Sequence, residues 1–203
     1  GHGGGYGYLI MGATHHNLED IGAMRLLPGM KVYVPFTRTD VAQCVQQMLA
    51  DKAPNYLRLN SAADIKTEVA RFSPWRKLKD GNKAVVVGTG PVVANLFQLD
   101  NDILNKLEIW LVSVFPVVDI PAELKKSLKE KQTLITMEEH NGQCGLYETI
   151  AAQILADDCG SLNYNGLFAN GYPGGKYGNQ TWHQAENNLH GDNLKRKILE
   201  YLK

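Results

Sequence analysis

Residues 84–91 read Ala-Val-Val-Val-Gly-Thr-Gly-Pro and indicate the fold class of this 203-residue chain. The apolar run at 84–87 is continuous, which is typical of a strand covered on both faces, as the strands of a parallel sheet are. The glycines that follow suit a tight turn between a strand and a helix. A Gly-x-Gly turn after a strand also opens dinucleotide-binding folds, but Val93 stands where the third glycine of that motif belongs. A tight structural turn is therefore the favoured interpretation.

Strand and helix patterns alternate on both sides of this stretch. On the amino-terminal side they predict strands at 31–34 and 55–59 around a helix at 39–50. On the carboxy-terminal side they predict a helix through residue 104, a strand at 109–114, a helix opened by Asp119 and Pro121, a strand at 133–137, a helix at 145–157, a short strand at 167–168 and a final helix capped by Asp192. This alternation predicts an α/β fold, with a parallel sheet between two layers of helices.

The composition divides the chain into three regions. Residues 1–60 hold two predicted strands and one helix, too few for an independent domain, so we expect an incomplete α/β unit there. Residues 61–80 are mainly polar and charged, which predicts an interdomain linker that Phe72 and Trp75 hold against a neighbour. Residues 81–203 carry the full alternation and predict a complete α/β domain.

The composition also argues against several classes of protein. The 21 basic residues balance the 21 acidic ones, so the charge pattern favours neither nucleic acid nor an anionic membrane as a partner. The longest apolar stretch, residues 109–118, is about half of the ~20 residues that a membrane span needs. The three cysteines form no Cys-x-x-Cys pair, which is typical of reduced thiols. With no leader pattern, we expect a cytoplasmic protein.

The densest polar cluster is Gly-Ala-Thr-His-His-Asn-Leu-Glu-Asp at residues 12–20. Thr14 or Asn17 is predicted to cap a short helix that continues to Leu27. A histidine beside a helix amino terminus, after a glycine-rich approach, is well placed to face a ligand. The cluster is therefore the first candidate site.

Two other interpretations of this cluster stay open. His15 and His16 could simply support the turn through hydrogen bonds. They could also bind a metal with Glu19 and Asp20, acids that otherwise favour the positive end of the helix. The metal site is the weaker interpretation, because adjacent histidines point to different sides of most backbones and no further soft ligand stands nearby. We therefore predict no metal site.

Two later segments are also candidates. Residues 138–142, Glu-Glu-His-Asn-Gly, stand at the end of a predicted parallel strand, the edge where α/β proteins bind ligands. The same residues could cap the helix from Gly145 or form a subunit contact, and the structural role is favoured. Residues 171–178, Gly-Tyr-Pro-Gly-Gly-Lys-Tyr-Gly, predict an ordered surface or interface loop, because they lack the Gly-Lys-Ser/Thr ending of a phosphate-binding loop.

Taken in order, these motifs resemble transketolase. The pattern Gly-x-Thr-His-x-x-x-Glu-Asp at 12–20 precedes Met-Arg-x-x-Pro-x-Met at 24–30 and Val34-Pro35, as near the end of the family's pyrimidine-binding domain. Residues 86–90 and 135–141 are similar to the carboxy-terminal domain of transketolases and of deoxyxylulose phosphate synthases. The resemblance covers nearly the whole chain and is nearest to the carboxy-terminal subunit of split transketolases, cut short at its amino end.

The resemblance implies a three-layer, parallel-sheet carboxy-terminal transketolase-like domain at 81–203, after an incomplete pyrimidine-domain segment at 1–60. It implies chemistry on thiamine diphosphate with Mg²⁺, in which a ketose is cleaved and a two-carbon ketol unit passes to an aldose. The implied partners are a sugar or sugar-phosphate substrate, a diphosphate-binding subunit or domain, and a second copy of the chain in a homo-oligomer, for example a dimer. We expect the polypeptide alone to bind no cofactor and to be inactive, because the family's activating glutamate and its stacking aromatic residue lie upstream of the Thr-His pair.

The resemblance also implies which residues form the site. In the family, the histidine of the Thr-His pair faces the reactive end of the cofactor and the substrate oxygens, and that residue is His15 here. Histidine suits this role because its ordinary pKa lies near working pH. Thr14 and His16 are expected on the substrate and cofactor side. Three further candidates are Glu19, Asp20 and Arg58.

The sequence departs from the family locally, and the family's phosphate-contacting histidine position falls at Gly3, with His2 one position off. Met11 stands where many members carry an aspartate, and Asn60 or Ser61 stands where an arginine commonly grips the sugar phosphate. Loss of a bidentate guanidinium weakens phosphate recognition. The departure predicts a substrate whose phosphate is altered or absent.

Other functions stay open at this stage. Within the same chemistry, the chain could belong to the beta subunit of the decarboxylating component of a 2-oxo acid dehydrogenase, or to a deoxyxylulose phosphate synthase. Outside it, the carboxy-terminal domain could be a dimerisation or regulatory module. The Thr14-His15 pair with Glu19-Asp20 favours transketolase.

Overall fold

The computed structural model describes residues 1–61, 69–157 and 159–203. The part before residue 61 contains a 3₁₀ helix at Leu9–Thr14, α1 (Asp20–Arg25), β1 (Lys31–Tyr33), α2 (Arg38–Ala50) and β2 (Asn55–Leu57). The rest contains β3 (Trp75–Lys79), β4 (Ala84–Thr89), a 3₁₀ helix at Pro91–Gln98, α3 (Asn101–Leu104), β5 (Leu107–Val112), β6 (Val114–Phe115), α4 (Ala122–Lys131), β7 (Thr133–Asn141), α5 (Leu146–Ala156), β8 (Asn163–Ala169), α6 (Gln180–Glu186) and α7 (Gly191–Tyr201).

The larger sheet has five strands in the order β3-β5-β4-β7-β8. Strand β3 is antiparallel to β5, and the other neighbours are parallel. Successive residues of β4 serve different cores, because side chains alternate across a strand. Val86 packs into one hydrophobic cluster, and Val85 and Val87 pack into a second. The predicted α/β fold with a parallel sheet is therefore confirmed, and its central strand is covered on both faces.

The smaller sheet has three strands in the order β2-β1-β6. Strands β1 and β2 are parallel, whereas β6 is antiparallel to β1, with Val32 opposite Phe115. The sequence pattern predicts one strand at 109–114, but the structure divides this stretch at the buried Ser113 into β5 and β6. Residues 114–115 therefore complete a sheet whose other strands come from the first 57 residues.

The predicted linker at 61–80 is partly a strand. Residues 75–79 form β3 at the edge of the larger sheet, so this sheet begins before residue 81. The strand is not evident from the sequence Trp-Arg-Lys-Leu-Lys, because three of its five residues are cationic and the apolar alternation is weak. Cationic residues are common on edge strands, where they prevent association with other strands. Residues 62–68 of the predicted linker lie outside the described residues.

Several predicted helix starts differ from the structure. Helix α1 begins at Asp20 without a side-chain cap, so neither Thr14 nor Asn17 caps it. Asp119 has a positive φ and lies before the helix that starts at Ala122, and Asp192 lies inside the first turn of α7 instead of capping it. In each case the pattern predicts the helix but not its first residue, because helix boundaries are the least certain part of such a prediction.

A buried ion pair joins α2 to the larger sheet. The Arg76 guanidinium on β3 donates to both oxygens of Asp40, at 2.8 and 2.6 Å, and also to the Ser113 hydroxyl. Asp40 in turn accepts from the Phe36 amide and forms a capping box with Thr37. This pair fixes the first turn of α2 against β3.

In the described parts of the chain, no helix has the length and apolar character that crossing a bilayer requires.

Candidate active site

His15 lies on a loop, residues 5–17, whose two ends are hydrogen-bonded to each other. The Gly5 amide donates to the Asn17 carbonyl at 2.8 Å, and the Asn17 amide donates to the Gly5 carbonyl at 3.0 Å. Gly12 has a φ of 70°, a conformation that glycine adopts without strain, and it bends the 3₁₀ helix inside the loop. The predicted glycine-rich approach is therefore a closed loop that presents adjacent histidines.

His15 is exposed at the end of this loop. Its Nδ1 lies 2.9 Å from the Thr14 hydroxyl, which also reaches the Met11 carbonyl at 3.4 Å. The Tyr8 ring stands edge-on to the imidazole, with 5.8 Å between ring centroids. Within the described residues, the Nε2 atom of His15 has no hydrogen-bond partner. The imidazole therefore presents one ring nitrogen outward while Thr14 engages the other.

His16 points to the opposite side and uses both ring nitrogens within the protein. Its Nε2 lies 2.7 Å from the Leu9 carbonyl and its Nδ1 lies 2.8 Å from the Tyr172 hydroxyl. The carbonyl can only accept, so Nε2 carries the proton and Nδ1 accepts from Tyr172. Burial lowers the pKa of His16, which keeps the ring neutral. This geometry does not meet the expectation that His16 faces a ligand, and it gives the residue a packing role.

A cluster of aromatic and imidazole rings holds the loop against the carboxy-terminal residues. The Tyr6 ring stacks on His183 at 4.7 Å and stands edge-on to His16 at 5.3 Å. The Tyr6 hydroxyl donates to the Gly171 carbonyl at 2.6 Å and accepts from Asn187 at 2.9 Å. The loop at 171–178 therefore packs against the candidate site within the same chain. Sequence reasoning missed this cluster, although the density of tyrosine, tryptophan and histidine between residues 172 and 183 was a usable signal.

Asp20 and Arg58 form a buried ion pair beneath the loop. The Arg58 Nε donates to both carboxylate oxygens of Asp20 at 2.9 Å, and its Nη2 donates to the carbonyls of Asn17 and Glu139. Both side chains are almost completely removed from solvent. The Tyr56 hydroxyl also donates to Asp20, so these two sequence candidates are buried and engaged within the protein beneath the loop, which gives them a supporting role.

Glu19 differs from its neighbour because it is exposed at the start of α1. Its carboxylate accepts from the Leu18 amide at 3.2 Å and caps no helical amide.

Among the described residues, no group of three histidine, cysteine or acidic side chains lies close enough to hold a metal ion.

The end of β7 is polar but buried. Glu138 accepts from the amides of Leu146 and Tyr147, at 2.7 and 2.8 Å, and so caps α5. Burial raises the pKa of Glu138 to about 7. His140 donates from Nδ1 to the Asn141 carbonyl and accepts the Gly22 amide at Nε2, and burial lowers its pKa to about 4. The structural interpretation favoured for this strand end agrees with these contacts.

Glu139 is the neighbour of Glu138 and faces the candidate site. Its carboxylate accepts from the Tyr6 amide at 3.0 Å, from the Asn60 amide group at 2.8 Å and from Gln180 at 3.0 and 3.1 Å. Burial raises the pKa of this carboxyl. The strand thus points one carboxylate toward α5 and the next toward the histidine loop, as alternation along a strand requires.

A groove of about 270 Å³ opens between His2 and the segments at 35–41 and 59–61. Its lining includes Arg38, Asn60, Ser61 and His2. The His2 imidazole lies 3.0 Å from the hydroxyl of Tyr8, the same ring that stands against His15. Tyr8 thus connects the groove to the exposed His15 imidazole, and the two together form the candidate site.

The comparisons with known proteins agree on one family. Residues 2–63 match the family model described as transketolase, pyrimidine binding domain. The chain is similar to an apulose-4-phosphate transketolase subunit from Phocaeicola vulgatus, with 28% identity over 154 residues that cover 70% of this chain and 48% of that protein. A 6-deoxy-6-sulfo-D-fructose transketolase subunit from a Clostridium species is 28% identical over 157 residues, covering 74% and 48%. The chain spans about half the length of these relatives.

A solved structure supports the same fold. The chain is similar to a split gene transketolase described as an inactive beta4 tetramer, with a TM-score of 0.74 and 22% identity over 94% of this chain and 62% of that one. The motif resemblance is therefore confirmed. The chain is similar to the carboxy-terminal part of transketolase-family proteins.

Proposed function

We propose that this chain is part of a transketolase-like transferase that moves a two-carbon ketol unit from a ketose to an aldose. The observation that carries the proposal is the exposed His15 imidazole, held through Nδ1 by Thr14 at 2.9 Å on a closed loop. This loop lies within the residues that match the family model. An imidazole with one anchored and one outward nitrogen suits proton transfer at a substrate oxygen.

Thr14 sets which nitrogen of His15 reacts. When the Thr14 hydroxyl donates to the Met11 carbonyl, its oxygen is left to accept from Nδ1–H of His15. In that arrangement Nε2 is the proton acceptor that faces outward. Proton transfer by a positioned side chain of this kind typically contributes about 10²- to 10⁴-fold to rate.

We propose thiamine diphosphate and Mg²⁺ as the cofactors of the complete enzyme. Thiamine diphosphate, when bound, supplies the nucleophile for carbon–carbon bond cleavage. One imidazole and one hydroxyl suit the reactive end of such a molecule, so Thr14 and His15 would lie there. Its diphosphate and metal would be held by a separate diphosphate-binding subunit or domain, consistent with relatives that are themselves named as subunits.

The proposed organisation follows the same reasoning. Residues 1–60 would be the end of a pyrimidine-binding domain, and β3 together with residues 81–203 would form the carboxy-terminal domain, so that the connection would lie before β3. We propose that the chain works in a homo-oligomer with its diphosphate-binding partner in the cytoplasm and is inactive without that partner. A solved relative described as an inactive tetramer supports this dependence.

The residues at the expected arginine position suggest how the substrate differs from a simple sugar phosphate. Asn60 or Ser61 stands where an arginine is expected, and the side-chain amide of Asn60 is held by Glu139, Gln180 and the Ser61 backbone amide. It therefore offers no guanidinium and little free hydrogen-bonding capacity to a phosphate. We expect no strong preference for phosphorylated pentoses over free sugars. A large preference in kcat/KM for the phosphorylated form would contradict this part of the proposal.

Reconstitution tests the function. The full-length protein is combined with a diphosphate-binding subunit, thiamine diphosphate and Mg²⁺, and the products from a ketose donor and an aldose acceptor are identified by mass. We expect ketol transfer only when both subunits are present. Turnover of a 2-oxo acid instead would favour a dehydrogenase component or a deoxyxylulose phosphate synthase. Self-association with no turnover would favour a dimerisation or regulatory module.

A further inference from the structure

We propose that Glu139 is a positioning residue that fixes the loop carrying His15 and the groove wall at Asn60 at the same time. The role of the loop in this inference rests on the function proposed above. Glu139 lies on β7, far along the chain from either segment, yet its side chain contacts both.

Three segments of the chain converge on this one carboxylate. Oε1 accepts from the Tyr6 amide at 3.0 Å, and Oε2 accepts from the Asn60 amide group at 2.8 Å. Gln180, at the start of α6, places its Nε2 between the two oxygens, at 3.0 and 3.1 Å. The same Gln180 nitrogen reaches the Asn60 Oδ1 at 3.1 Å, which closes a triangle of side chains.

The position requires a residue that only accepts hydrogen bonds. A carboxylate offers two oxygens with about four lone-pair directions, which matches donors from three sides. Among the described residues its donors are a backbone amide and two neutral side-chain amides, so no cation shares the contact. The carboxylate also packs directly against Gly5, where a Cβ atom would lie only 2.6 Å from the Glu139 carboxyl carbon. The glycine before Tyr6 thus allows the carboxylate to reach the base of the loop.

The hydrogen bond from the Tyr6 amide to Glu139 lies next to the hydrogen bonds that close the loop. The Gly5–Asn17 hydrogen bonds lie next to the Tyr6 amide, and the Glu139 carbonyl shares the Arg58 guanidinium with the Asn17 carbonyl. Glu139 therefore holds the loop through its side chain and, by way of Arg58, through its backbone. Since Tyr8 and His15 follow on the same loop, their placement depends on this anchor. Asn60 depends on it through the opposite oxygen.

Glu139→Gln tests the proposal with little change of volume. The amide nitrogen of glutamine turns a donor toward Tyr6 or toward Asn60 and Gln180, so one set of contacts is lost. Unsatisfied buried donors of this kind correspond to roughly a 5- to 150-fold effect. We expect kcat/KM for ketol transfer in the assembled enzyme to fall within that range, with KM and kcat both affected. We also expect the His15 ring resonances of the full-length, histidine-labelled protein to shift.

Glu138→Gln is the matched control. It removes the neighbouring buried carboxylate of the same strand, which accepts from α5 and lies 3.6 Å from the His140 Nδ1. Within the described part of the chain, this carboxylate has no hydrogen bond to the loop or to Asn60. We expect it to leave the His15 resonances and KM unchanged. If Glu139→Gln does not fold, Gln180→Ala removes a single donor and should give a smaller shift of the same kind.

The two readouts separate failure of this inference from failure of the proposed function. His15 resonances that move in Glu139→Gln and stay fixed in Glu138→Gln support the positioning role, even if no ketol transfer is found. Resonances that are the same in both variants overturn it, whatever the activity of the enzyme.

Discussion

The loop around His15 and the end of β7 carry similar polar sequences, but the structure treats them in opposite ways. Each has a pair of adjacent titratable residues, His15-His16 and Glu138-Glu139. On the loop, His15 is exposed and its Nε2 has no hydrogen-bond partner among the described residues, while His16 packs inward. At the strand end, both members are buried and accept hydrogen bonds from the backbone.

This difference shows how the two clusters divide the work of the site. A buried carboxylate that accepts several hydrogen bonds fixes the segments that donate to it. An exposed imidazole with one anchored nitrogen has a defined orientation and remains available to a ligand. In the proposed function, the strand end would supply the support and the loop would supply the reactive group. The predictions below test this division.

The largest expected effect is on catalysis, from His15→Asn. Loss of the proton-transfer group should lower kcat for ketol transfer in the assembled enzyme by about 10²- to 10⁴-fold. The free energy of unfolding should change by no more than about 0.5 kcal/mol, because the ring is exposed. Steady-state kinetics and urea unfolding of the same preparations check both statements.

His16→Asn is the natural comparison for that variant. It removes hydrogen bonds to Leu9 and Tyr172, so it should lower the free energy of unfolding by about 1–3 kcal/mol and reduce kcat far less than His15→Asn does. If the two variants lost equal activity, the assignment of the reactive role to His15 alone would be wrong.

The second effect concerns the buried ion pairs. Asp20→Asn leaves Arg58 without its carboxylate, and Asp40→Asn does the same to Arg76. Removing one partner of a buried pair costs about 3–5 kcal/mol, so both variants should be strongly destabilised in urea unfolding.

The two variants should differ in where the damage appears. Only the Asp20 pair also holds the Asn17 carbonyl at the end of the histidine loop. Asp20→Asn should therefore shift the His15 resonances, and Asp40→Asn should leave them in place. Equal shifts in both variants would mean that the loop responds to general loss of stability.

Much of this arrangement follows from the sequence, and the failures have physical causes. The apolar run at 84–87 predicts the central strand, and the Thr-His motif directs attention to His15. The pairing of Asp20 with Arg58 is not predictable from a local pattern, because the partners are 38 residues apart and neither lies on a periodic face. The same holds for Glu139, whose partners at positions 6, 60 and 180 come together only in the folded chain.

The third prediction concerns pH. The unfolded imidazole protonates near 6.5, whereas burial lowers the pKa of His140 to about 4 in the folded chain. Because the folded-state pKa is depressed, the stability that depends on neutral His140 is complete above about pH 6.5 and is lost as the pH falls toward 4. The loss is at most about 3 kcal/mol.

The variant His140→Gln isolates this contribution. The pKa values of Glu138 and Glu139 are raised, so their contribution to the free energy of unfolding increases as the pH falls over part of this range. This contribution is present in both the variant and the wild type. Urea unfolding at several pH values should therefore show a smaller decrease between pH 6.5 and 4 in the variant than in the wild type. Parallel curves would remove His140 from the explanation.

The smallest expected effect comes from two helix caps. The Asn179 side chain caps α6 by accepting from the Trp182 amide at 2.8 Å, and Thr37 caps α2 in a capping box. Replacing either residue with alanine should lower the free energy of unfolding by about 1 kcal/mol, which paired urea titrations resolve.

Although both alanine variants should lose a similar free energy of unfolding, they should affect the histidine loop differently. Helix α6 carries Gln180, which donates to Glu139, and His183, whose ring stacks on Tyr6. Fraying of its first turn should broaden or shift the His15 and His16 resonances, whereas Thr37→Ala should not, because α2 is anchored to Arg76 and β3 instead. If both alanine variants left the resonances unchanged, the support of the loop would have to come from β7 and Arg58 without the aid of α6.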